Sequence, residues 1–496
     1  MIPDLLAKRA ALNSQATAFR CSPGDVTISY GELEHRAQKA AGLMQSLGVA
    51  GGDRIGVLCR NRVEFFELLF ACAKLGAILV PLNWRMPAVE IQALLDAAAP
   101  ALLVYGAEDR ATVRNLIATA CVHLDLDDKD GYATQRDIAA GIKGRRLWPA
   151  TDCWYLLYTS GTTGMPKAVI QTYEMAVANY VSIRHAMSIS SRDVTLNFLP
   201  LFHSAGINLV TLPTLIEGGE VRILPAFDTD AVVALLADAQ VDAFFAVPTI
   251  YQQMSLHPDF NKLDLGRIRS WGCGGSAMSP GLVERYLARG ARVRNGMGMT
   301  ETGPTAFLME EASVADKPGS VGKPQLLSSV RIVNRDGADV EAGEHGELWF
   351  AGPGVTPGYW QNEPATREVF SADGWLKSGD LAYEDEDGDY FIVGRLKDMF
   401  ISGGENVYPA EIEQLLARHP AVHEAAVVGR PDQQWGEVGC AYVQLVPGEE
   451  QPGDELLRAY CREHLAAYKV PKFFVTVDEF PRTAAGKIQK HRLGAG

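Results

Sequence analysis

The sequence has few cysteines, and none of them is spaced for a metal site or a disulfide scaffold. Eight cysteines are scattered over 496 residues, and no two of them have C-x-x-C spacing. In a chain of this length that pattern predicts reduced, mostly buried thiols rather than a small disulfide-stabilised domain. It gives no support to a structural zinc site.

Long apolar runs and excess positive charge are also missing. The most apolar stretch, ELLFACAKLGAILVPL (67–82), contains Lys74 and Pro81 and is short for a bilayer, so it predicts a buried helix running into a strand. The formal charge of −14 argues against nucleic acid or an anionic membrane as the main partner. The N-terminus MIPDLLAKRAALNSQ lacks the apolar core of a signal peptide, which predicts a cytoplasmic protein without stable membrane insertion.

What the chain does contain is the composition of a soluble globular protein, with 47% hydrophobic and 21% charged residues. Apolar runs such as DRIGVLC, GAILVPL and DAFFAVPTIY alternate with helix-like stretches. This alternation predicts an α/β fold with parallel sheets covered by helices. One helix is marked by Ser279 as its cap, Pro280 in its first turn and Gly290 past its end.

After about residue 320 the pattern changes. The runs SVRIVN, GELWFAG and LAYEDEDGDYFIVGR predict antiparallel strands, with Asp387-Gly388 as a hairpin turn. Further on, Pro409 opens a helix that Pro420 ends. Its apolar face is formed by Ile412, Leu415 and Leu416.

These patterns predict two domains. A large N-terminal domain (1–394) has helix-covered sheet subdomains to about residue 320 and an antiparallel, β-barrel-like subdomain at 321–394. A short connection at 395–398 leads to a small α+β C-terminal domain at 399–496.

A loop rich in glycine and hydroxyl groups, TSGTTGMPK (159–167), has the chemistry of a polyphosphate site. Gly161 and Gly164 let backbone N–H groups turn toward an anion, the hydroxyls add neutral donors, and Lys167 adds charge. The loop is not a Walker A motif, because G-x-x-x-x-G-K-[ST] is absent. Taken alone, it is equally compatible with a solvated turn that binds nothing.

Two further stretches are ambiguous when they are read alone. LPLFHSAG contains His203, and a single histidine among apolar residues is more often a packed core residue. A serine nucleophile elbow would need glycine where Phe202 stands. WGCGGSAM matches G-x-G-x-x-A at Gly272, Gly274 and Ala277, but a lone match is weak evidence for a dinucleotide site.

Taken together, the motifs resemble those of a known family. YTSGTTGMPKAVI (158–170) is similar to the signature loop of the adenylate-forming (AMP-binding) superfamily, and NGMGMTETGPT, GWLKSGDLAY with GRLKD, ISGGENVYPAEIE and PRTAAGKIQK follow in the family's order. The resemblance covers nearly the whole chain and is to the acyl- and aryl-CoA synthetase branch, the fatty-acyl-CoA and feruloyl/4-coumarate-type CoA ligases. It implies an AMP-forming acid–thiol ligase that converts a carboxylate and ATP to acyl-AMP and pyrophosphate. A CoA thioester then forms with release of AMP, and the cofactors are ATP, Mg²⁺ and coenzyme A.

The resemblance implies a role for each motif around the nucleotide. The glycine-rich loop grips the β- and γ-phosphates, Glu301 binds magnesium, Asp380 accepts the ribose hydroxyls and Arg395 supports ribose and phosphates. Met297 stands where the family usually has an aromatic residue that stacks on adenine. The residues expected to contact ATP or CoA are Thr159, Ser160, Gly161, Thr162, Thr163, Gly164, Lys167, Gly274, Gly275, Ser276, Met297, Gly298, Met299, Thr300, Asp380, Arg395, Gly403 and Gly404.

The resemblance also implies a mobile C-terminal lid. Lys487 is the catalytic lysine of adenylation, and Thr159, His203 and Glu301 complete the catalytic set. Lys397 is the hinge about which the lid rotates for the thiol step, when Gly403 and Gly404 line the phosphopantetheine channel. The acyl pocket is expected at His203, Ala205, Gly206, Pro248, Trp271, Gly272 and Gly303, with His203 orienting the carboxylate.

The windows expected to line the acyl pocket contain no lysine or arginine, and Gly296 stands where a malonate-type ligase usually has arginine. A neutral-tailed acid is therefore expected. Both a medium- or long-chain fatty acid and an aryl acid of the hydroxycinnamate kind fit, and the sequence leaves this choice and a homodimer open.

Other functions compete with a CoA ligase. A stand-alone adenylation domain would charge a separate carrier protein, because the chain ends at KHRLGAG. A luciferase would need a peroxisomal Ser-Lys-Leu end. A nucleotide sensor would explain the loop but not His203, Glu301 and Lys487 together.

Overall fold

The computed structural model describes residues 1–22, 24–116, 121–159, 166–446, 452–482 and 488–493. Within those ranges no helix combines the length and the apolar character needed to cross a membrane.

The strands of the described residues are β1 (Ile2–Pro3), β2 (Thr17–Cys21), β3 (Val26–Ser29), β4 (Arg54–Leu58), β5 (Ile78–Pro81), β6 (Leu102–Tyr105), β7 (Val122–Asp125), β8 (Leu147–Trp148), β9 (Cys153–Thr159), β10 (Lys167–Thr172), β11 (Val194–Asn197), β12 (Glu220–Ile223) and β13 (Ala243–Ala246). They continue with β14 (Ser270–Cys273), β15 (Val293–Met299), β16 (Gly303–Leu308), β17 (Ser320–Pro324), β18 (Ser329–Val333), β19 (Gly346–Ala351), β20 (Leu376–Glu384), β21 (Tyr390–Arg395), β22 (Phe400–Ser402), β23 (Glu405–Val407), β24 (Val422–Asp432), β25 (Gly436–Leu445) and β26 (Phe473–Thr476).

The α-helices are α1 (Leu5–Leu12), α2 (Tyr30–Ser46), α3 (Val63–Leu75), α4 (Ala88–Ala98), α5 (Arg110–Arg114), α6 (Tyr132–Ile138), α7 (Tyr173–Met187), α8 (Thr211–Glu217), α9 (Thr229–Ala237), α10 (Pro248–Ser255), α11 (Pro280–Leu287), α12 (Glu363–Val369), α13 (Pro409–Leu416) and α14 (Asp454–His464).

One sheet has the order β10-β9-β5-β4-β6-β7 and is parallel except for the β9–β10 hairpin. The most apolar stretch of the sequence forms α3 and β5, as predicted. Gly76 ends α3 with φ +75°, a conformation that glycine adopts without strain. The β9–β10 hairpin lies at the edge of this sheet, and its two strands are the chain segments on either side of the glycine-rich stretch.

A second, larger sheet has the order β18-β19-β20-β21-β17-β16-β15-β14-β13-β11-β12-β2-β3. Its middle strands are parallel, and the direction changes where β16 runs antiparallel to β15. Parallel α/β sheets bind ligands beyond the carboxyl ends of their strands. The turn after β15, which carries Thr300 and Glu301, lies at such an end.

Helices α2 and α3 are packed in one core with both sheets. This core joins Phe19 and Val221 of the large sheet to Ile55 and Leu79 of the smaller one. Trp154 contributes a stacked aromatic contact to Tyr173 with the ring centroids 5.1 Å apart. Because each fully buried large apolar side chain stabilises the fold by about 1.5–3 kcal/mol, this core fixes the two sheets relative to each other.

The C-terminal residues form a separate sheet of order β23-β22-β25-β24, with β26 beside β25. Helix α13 begins at Pro409 and buries Ile412, Leu415 and Leu416, as its sequence predicts. Between β21 of the large sheet and β22 of this sheet, a single 3-10 turn (Leu396–Asp398) connects the chain. The domain limits predicted at 395–398 coincide with this change of sheet and stay a prediction.

Candidate active site

The two ends of the glycine-rich loop are held side by side by the β9–β10 hairpin. Thr159 pairs with Lys167, and the Thr159 hydroxyl donates to the Lys167 carbonyl oxygen at 3.4 Å. Lys167 places its Nζ 5.0 Å from the ring centroid of Tyr359. The loop residues Ser160, Gly161, Thr162, Thr163 and Gly164 lie outside the described residues, and so does Lys487.

Glu301 lies in the turn between β15 and β16 and is only 7% exposed. Its Oε1 accepts a hydrogen bond from the Tyr359 hydroxyl at 3.0 Å. Burial raises the pKa of the Glu301 carboxyl, while this hydrogen bond and the charges of Arg395 and Lys167 act in the opposite direction. The positive charges of Arg395 and Lys167, both expected near the phosphates, therefore act to lower the pKa of this carboxyl group, which burial raises.

The surroundings of Glu301 suit a magnesium ion that arrives with a nucleotide. Among the described residues, no three histidine, cysteine or acidic side chains are grouped as a metal site. Mg²⁺ is commonly held by one or two carboxylates together with substrate phosphates rather than by an all-protein cage. A buried carboxylate beside Lys167 and the end of the phosphate loop fits that mode of binding.

Thr300 is tied directly to the strand that follows the phosphate loop. The side chain of Gln171 in β10, which is 1% exposed, donates to the Thr300 carbonyl oxygen at 2.9 Å. Gln171 also accepts from Asn208 at 3.3 Å. Sequence reasoning did not identify Gln171; its one signal was a polar residue inside the apolar run AVIQT.

Asp380 and Arg395 face each other across β20 and β21. Arg395 Nε lies 2.6 Å from Asp380 Oδ1. The backbone N–H of Asp380 donates to the Ser378 hydroxyl at 2.9 Å, and this bond anchors the residue. Asp380 is 5% exposed, so its carboxylate is held in one place by the strand pair.

His203 precedes one π-helical turn, Ala205–Leu209. The His203 ring lies 4.6 Å from the Phe202 ring. Gly206 is packed so closely that a Cβ there would lie 2.3 Å from the Pro200 carbonyl oxygen, and Asn197 donates to the Gly206 carbonyl oxygen at 2.8 Å. Single π-helical turns are frequent at functional sites, and this one was not predicted.

The glycines of WGCGGSAM lie against an aromatic ring. A Cβ at Gly272 would lie 2.3 Å from the Phe245 ring, and a Cβ at Gly274 would lie 3.2 Å from it. Gly275 and Ser276 follow β14 and are exposed. The Phe245 ring therefore occupies the space that side chains at Gly272 and Gly274 would otherwise fill.

Trp271 is on the other face of β14 from Gly272. Its ring packs against Phe244 at 5.3 Å and near Tyr251 and Tyr286, and its Nε1 donates to the Leu265 carbonyl oxygen at 3.2 Å. Alternate residues of a strand point to opposite faces. We therefore leave Trp271 out of the proposed acyl pocket and assign it to the core between this sheet and the helices α10 and α11.

The other residues expected in the nucleotide site or the acyl pocket, apart from those in the C-terminal sheet, lie at or beside the β15–β16 hairpin. Pro248 is the exception, since it opens α10. Met297 faces Phe307 across the hairpin, and Met299 faces Gly303. A Cβ at Gly298 would lie 2.4 Å from the Pro304 carbonyl carbon.

In the C-terminal sheet, Gly403 and Gly404 form the turn between β22 and β23 with φ +62° and +90°. Gly403 donates its N–H to the Trp435 carbonyl oxygen at 2.8 Å, and a Cβ on it would lie 3.0 Å from the Trp435 ring. Lys397 is exposed in the connecting turn.

Comparisons with known proteins identify the family of the chain. The model of the AMP-binding enzyme family matches residues 6–360, and that of the AMP-binding enzyme C-terminal domain matches residues 411–487. The chain is 40% identical to feruloyl-CoA synthase from Amycolatopsis sp over 97% of this chain and 96% of the relative. It is 34% identical to long-chain-fatty-acid–CoA ligase FadD13 from Mycobacterium tuberculosis over 98% and 96%.

Among solved structures, o-succinylbenzoate coenzyme A synthetase (MenE) from Bacillus subtilis in complex with ATP and magnesium ion superposes with a TM-score of 0.88 and 31% identity. That match covers 99% of both chains. The chain therefore belongs to the AMP-binding enzyme family, in its acyl- and aryl-CoA synthetase branch, and is an AMP-forming acyl-CoA ligase that uses ATP, Mg²⁺ and coenzyme A.

Proposed function

We propose that this ligase activates an aryl acid of the hydroxycinnamate kind, and that the residues brought together around Glu301 bind its nucleotide. The observation that carries the choice of acid is the 40% identity to feruloyl-CoA synthase along nearly the full length of both chains. The observation that carries the nucleotide site is the position of Tyr359, whose hydroxyl donates to Glu301 Oε1 at 3.0 Å and whose ring centroid lies 5.0 Å from Lys167 Nζ.

In the proposed complex, the β9–β10 loop and Lys167 hold the β- and γ-phosphates. Asp380 accepts the two ribose hydroxyls, for which the two oxygens of one carboxylate are suited. The salt bridge from Arg395 holds that carboxylate in its orientation. Glu301 would hold Mg²⁺, which would supply positive charge to the phosphates.

In the first step, a substrate carboxylate oxygen attacks the α-phosphorus and pyrophosphate leaves, which gives the acyl-adenylate. Both reactants are anions, and two like charges about 4 Å apart repel by roughly 1 kcal/mol in water and several times more in a dry site. The protein must therefore neutralise charge and hold an in-line approach. We assign charge neutralisation to Lys167 and Lys487, and orientation of the carboxylate to His203.

In the second step, the CoA thiol releases its proton to solvent water and its sulfur attacks the acyl carbonyl carbon. The bond from that carbon to the phosphate oxygen then breaks, and AMP leaves. An ammonium group at the α-phosphate would obstruct the thiol, so we propose that the C-terminal domain turns about Lys397 between the steps. The same turn would bring Gly403 and Gly404 to the thiol channel, where side chains would intrude.

The wall proposed for the acyl pocket is aromatic and uncharged. The Phe245 ring covers Gly272 and Gly274. Arg294, which pairs with Gly272 in the next strand, donates to the Ala186 carbonyl oxygen at 2.6 Å and is engaged at the end of α7. A flat ring fits a wall of this kind, because offset aromatic contacts add about 0.5–1.5 kcal/mol beyond area burial.

The test is a panel of acids assayed for AMP release with and without CoA. Ferulate, coumarate and cinnamate are compared with saturated fatty acids of eight to sixteen carbons. We expect complete turnover to require CoA, and kcat/KM for the hydroxycinnamates to exceed that for every fatty acid at least tenfold. A preference for fatty acids would reject the proposed acid, and AMP formation without CoA-thioester formation would favour the carrier-charging alternative.

A further inference from the structure

A short segment after β19, residues 356–360, contacts both β10, the strand after the phosphate loop, and the turn that carries Glu301. Residues 356–360 run antiparallel beside β10, where Ile170 N–H donates to the Gly358 carbonyl oxygen at 3.1 Å and Trp360 N–H donates to the Ala168 carbonyl oxygen at 2.8 Å. Val169 pairs with Tyr359 between these two bonds. The segment therefore follows the strand that leaves the phosphate loop.

The same segment is bonded to the turn that carries the proposed metal ligand. Thr356 N–H donates to the Glu301 carbonyl oxygen at 2.7 Å, while the Thr356 hydroxyl donates to the Ile170 carbonyl oxygen at 2.7 Å. One threonine thus fixes the separation between β10 and the Glu301 backbone. The side chain that extends from this segment to the Glu301 carboxylate belongs to Tyr359.

Tyr359 touches a charged group at each end. It is 8% exposed, and its hydroxyl donates to Glu301 Oε1 at 3.0 Å. The ammonium of Lys167 lies over its ring, 5.0 Å from the centroid, a distance at which the cation and the ring attract each other. Because one carboxylate oxygen is held in this way, the other oxygen, Oε2, has a fixed direction in which to bind a cation.

We propose that Tyr359 is a positioning residue for the divalent cation: its hydroxyl aims the Glu301 carboxylate at Mg²⁺, and its ring holds Lys167 beside the same phosphates. This inference rests on the proposed metal role of Glu301. Hydrogen-bond partners of metal-binding carboxylates commonly account for 10- to 100-fold in metal affinity or activity. Tyr359 makes no contact with the reacting atoms in this scheme and acts only through Glu301 and Lys167.

The test uses the full-length enzyme with Tyr359→Phe, which removes the hydroxyl and keeps the ring. Mn²⁺ is titrated into enzyme saturated with ATP, and free Mn²⁺ is followed by its electron paramagnetic resonance signal, with ATP alone subtracted. We expect Mn²⁺ to bind about tenfold more weakly to the variant. In turnover assays the half-saturating Mg²⁺ concentration should rise by a similar factor, with the KM for the acid unchanged.

The chain supplies a matched control in Tyr390. That tyrosine is also 8% exposed, and its hydroxyl also donates to a glutamate, Glu384, at 3.0 Å. Tyr390→Phe should therefore lose a similar hydrogen bond without any change in Mn²⁺ binding. Equal weakening of Mn²⁺ binding in both variants would indicate a general structural effect and overturn the inference.

Glu301→Gln separates failure of the inference from failure of the proposed function. If Glu301→Gln weakens Mn²⁺ binding and Tyr359→Phe does not, Tyr359 has no positioning role while Glu301 keeps its metal role. If Glu301→Gln leaves Mn²⁺ binding unchanged, the proposed metal ligand is wrong and the inference is overturned with it. Thermal melting of each variant with ATP, at increasing Mg²⁺, gives a second readout, and the protection by Mg²⁺ should shift in Tyr359→Phe but not in Tyr390→Phe.

Discussion

At the scale of single residues, the proposed site depends on two buried carboxylates, those of Asp380 and Glu301. Asp380 and Glu301 are 5% and 7% exposed, and each has a fixed hydrogen-bonding or ionic partner. An ordered carboxylate loses little further conformational entropy when a ligand binds, so it contributes more of its interaction energy to affinity. The two carboxylates differ in partner: Asp380 forms a salt bridge with Arg395, whereas Glu301 accepts a hydrogen bond from the Tyr359 phenol.

Asp380→Asn should weaken ATP binding selectively. The substitution removes the ion pair with Arg395 and one of the two acceptor oxygens proposed for the ribose. Hydrogen bonds to charged groups are worth about 1.5–3 kcal/mol, so the KM for ATP should rise roughly 10- to 100-fold, with a much smaller change in the KM for CoA. Steady-state kinetics with each substrate varied in turn measures this.

The control for Asp380→Asn lies at the other end of the same strand pair. Asp389 is also buried and paired with a cation, Lys317, at 2.8 Å. Asp389→Asn should reduce the melting temperature without raising the KM for ATP. A rise in KM for ATP of the same size in both variants would contradict the ribose assignment of Asp380.

Sequence motifs predicted Glu301, Lys167, Asp380 and Arg395, because each belongs to a local pattern that a single stretch displays. They did not predict Gln171 or Tyr359. Gln171 meets Thr300 129 residues further along the chain, and Tyr359 meets Glu301 across 58 residues. Their roles arise from the pairing of separate segments, which no local pattern encodes.

At the scale of elements, the β15–β16 hairpin sets the position of the turn that carries Glu301, the proposed magnesium ligand. Gly298 faces the other strand so closely that a Cβ would lie 2.4 Å from the Pro304 carbonyl carbon. Backbone atoms cannot move aside as the end of a side chain can. The close approach of these two strands therefore requires glycine at this position.

Gly298→Ala should force the hairpin strands apart and displace Thr300 and Glu301. We expect AMP formation to fall at least tenfold and the melting temperature to drop, since overpacking costs about 1–3 kcal/mol. Gly281→Ala in α11 is the matched control, because nothing lies within 4 Å of a Cβ there and alanine favours helix. Full activity of Gly298→Ala would show that the close approach is dispensable.

Element types were largely readable from the sequence, while irregular turns were not. The apolar stretch of α3 and β5 and the helices that begin at Pro280 and Pro409 agree with their patterns. The π-helical turn after His203 was missed. It depends on buried amide contacts from other elements, such as Asn197 of the preceding strand β11 to the Gly206 carbonyl oxygen, rather than on the periodicity of its own residues.

At the scale of the whole molecule, one site serves two reactions with opposite requirements. Adenylation needs positive charge at the α-phosphate, and thioester formation needs that space for the thiol. Lys487, the lysine proposed for the first step, follows the strands of the C-terminal sheet in the sequence, whereas Asp380 lies in the large sheet and Glu301 in the turn between two of its strands. In the proposed mechanism, this separation lets Lys487 leave the site while Glu301 and Asp380 stay.

Lys487→Ala should separate the two half-reactions. Without the ammonium group, acyl-AMP formation from acid and ATP should fall by at least a hundredfold, because electrostatic stabilisation of the transition state is lost. Conversion of supplied acyl-AMP and CoA to the thioester should keep its normal rate. Pyrophosphate release and thioester formation, assayed separately, measure the two steps, and equal loss in both would reject the assignment.

Lys397→Pro tests whether the connecting turn must change its backbone dihedrals. The turn is a single stretch between β21 and β22, and the Met399 N–H bonds to the Arg395 carbonyl oxygen at 3.2 Å across it. Proline fixes φ near −65° and disfavours the helical conformation of the residue before it, so the turn should be held in fewer conformations. Acyl-AMP formation should continue near its normal rate while thioester formation slows at least tenfold. Lys397→Ala, which removes the side chain but keeps the backbone free, should retain both rates; an unchanged thioester rate in Lys397→Pro would mean that the C-terminal unit does not turn here.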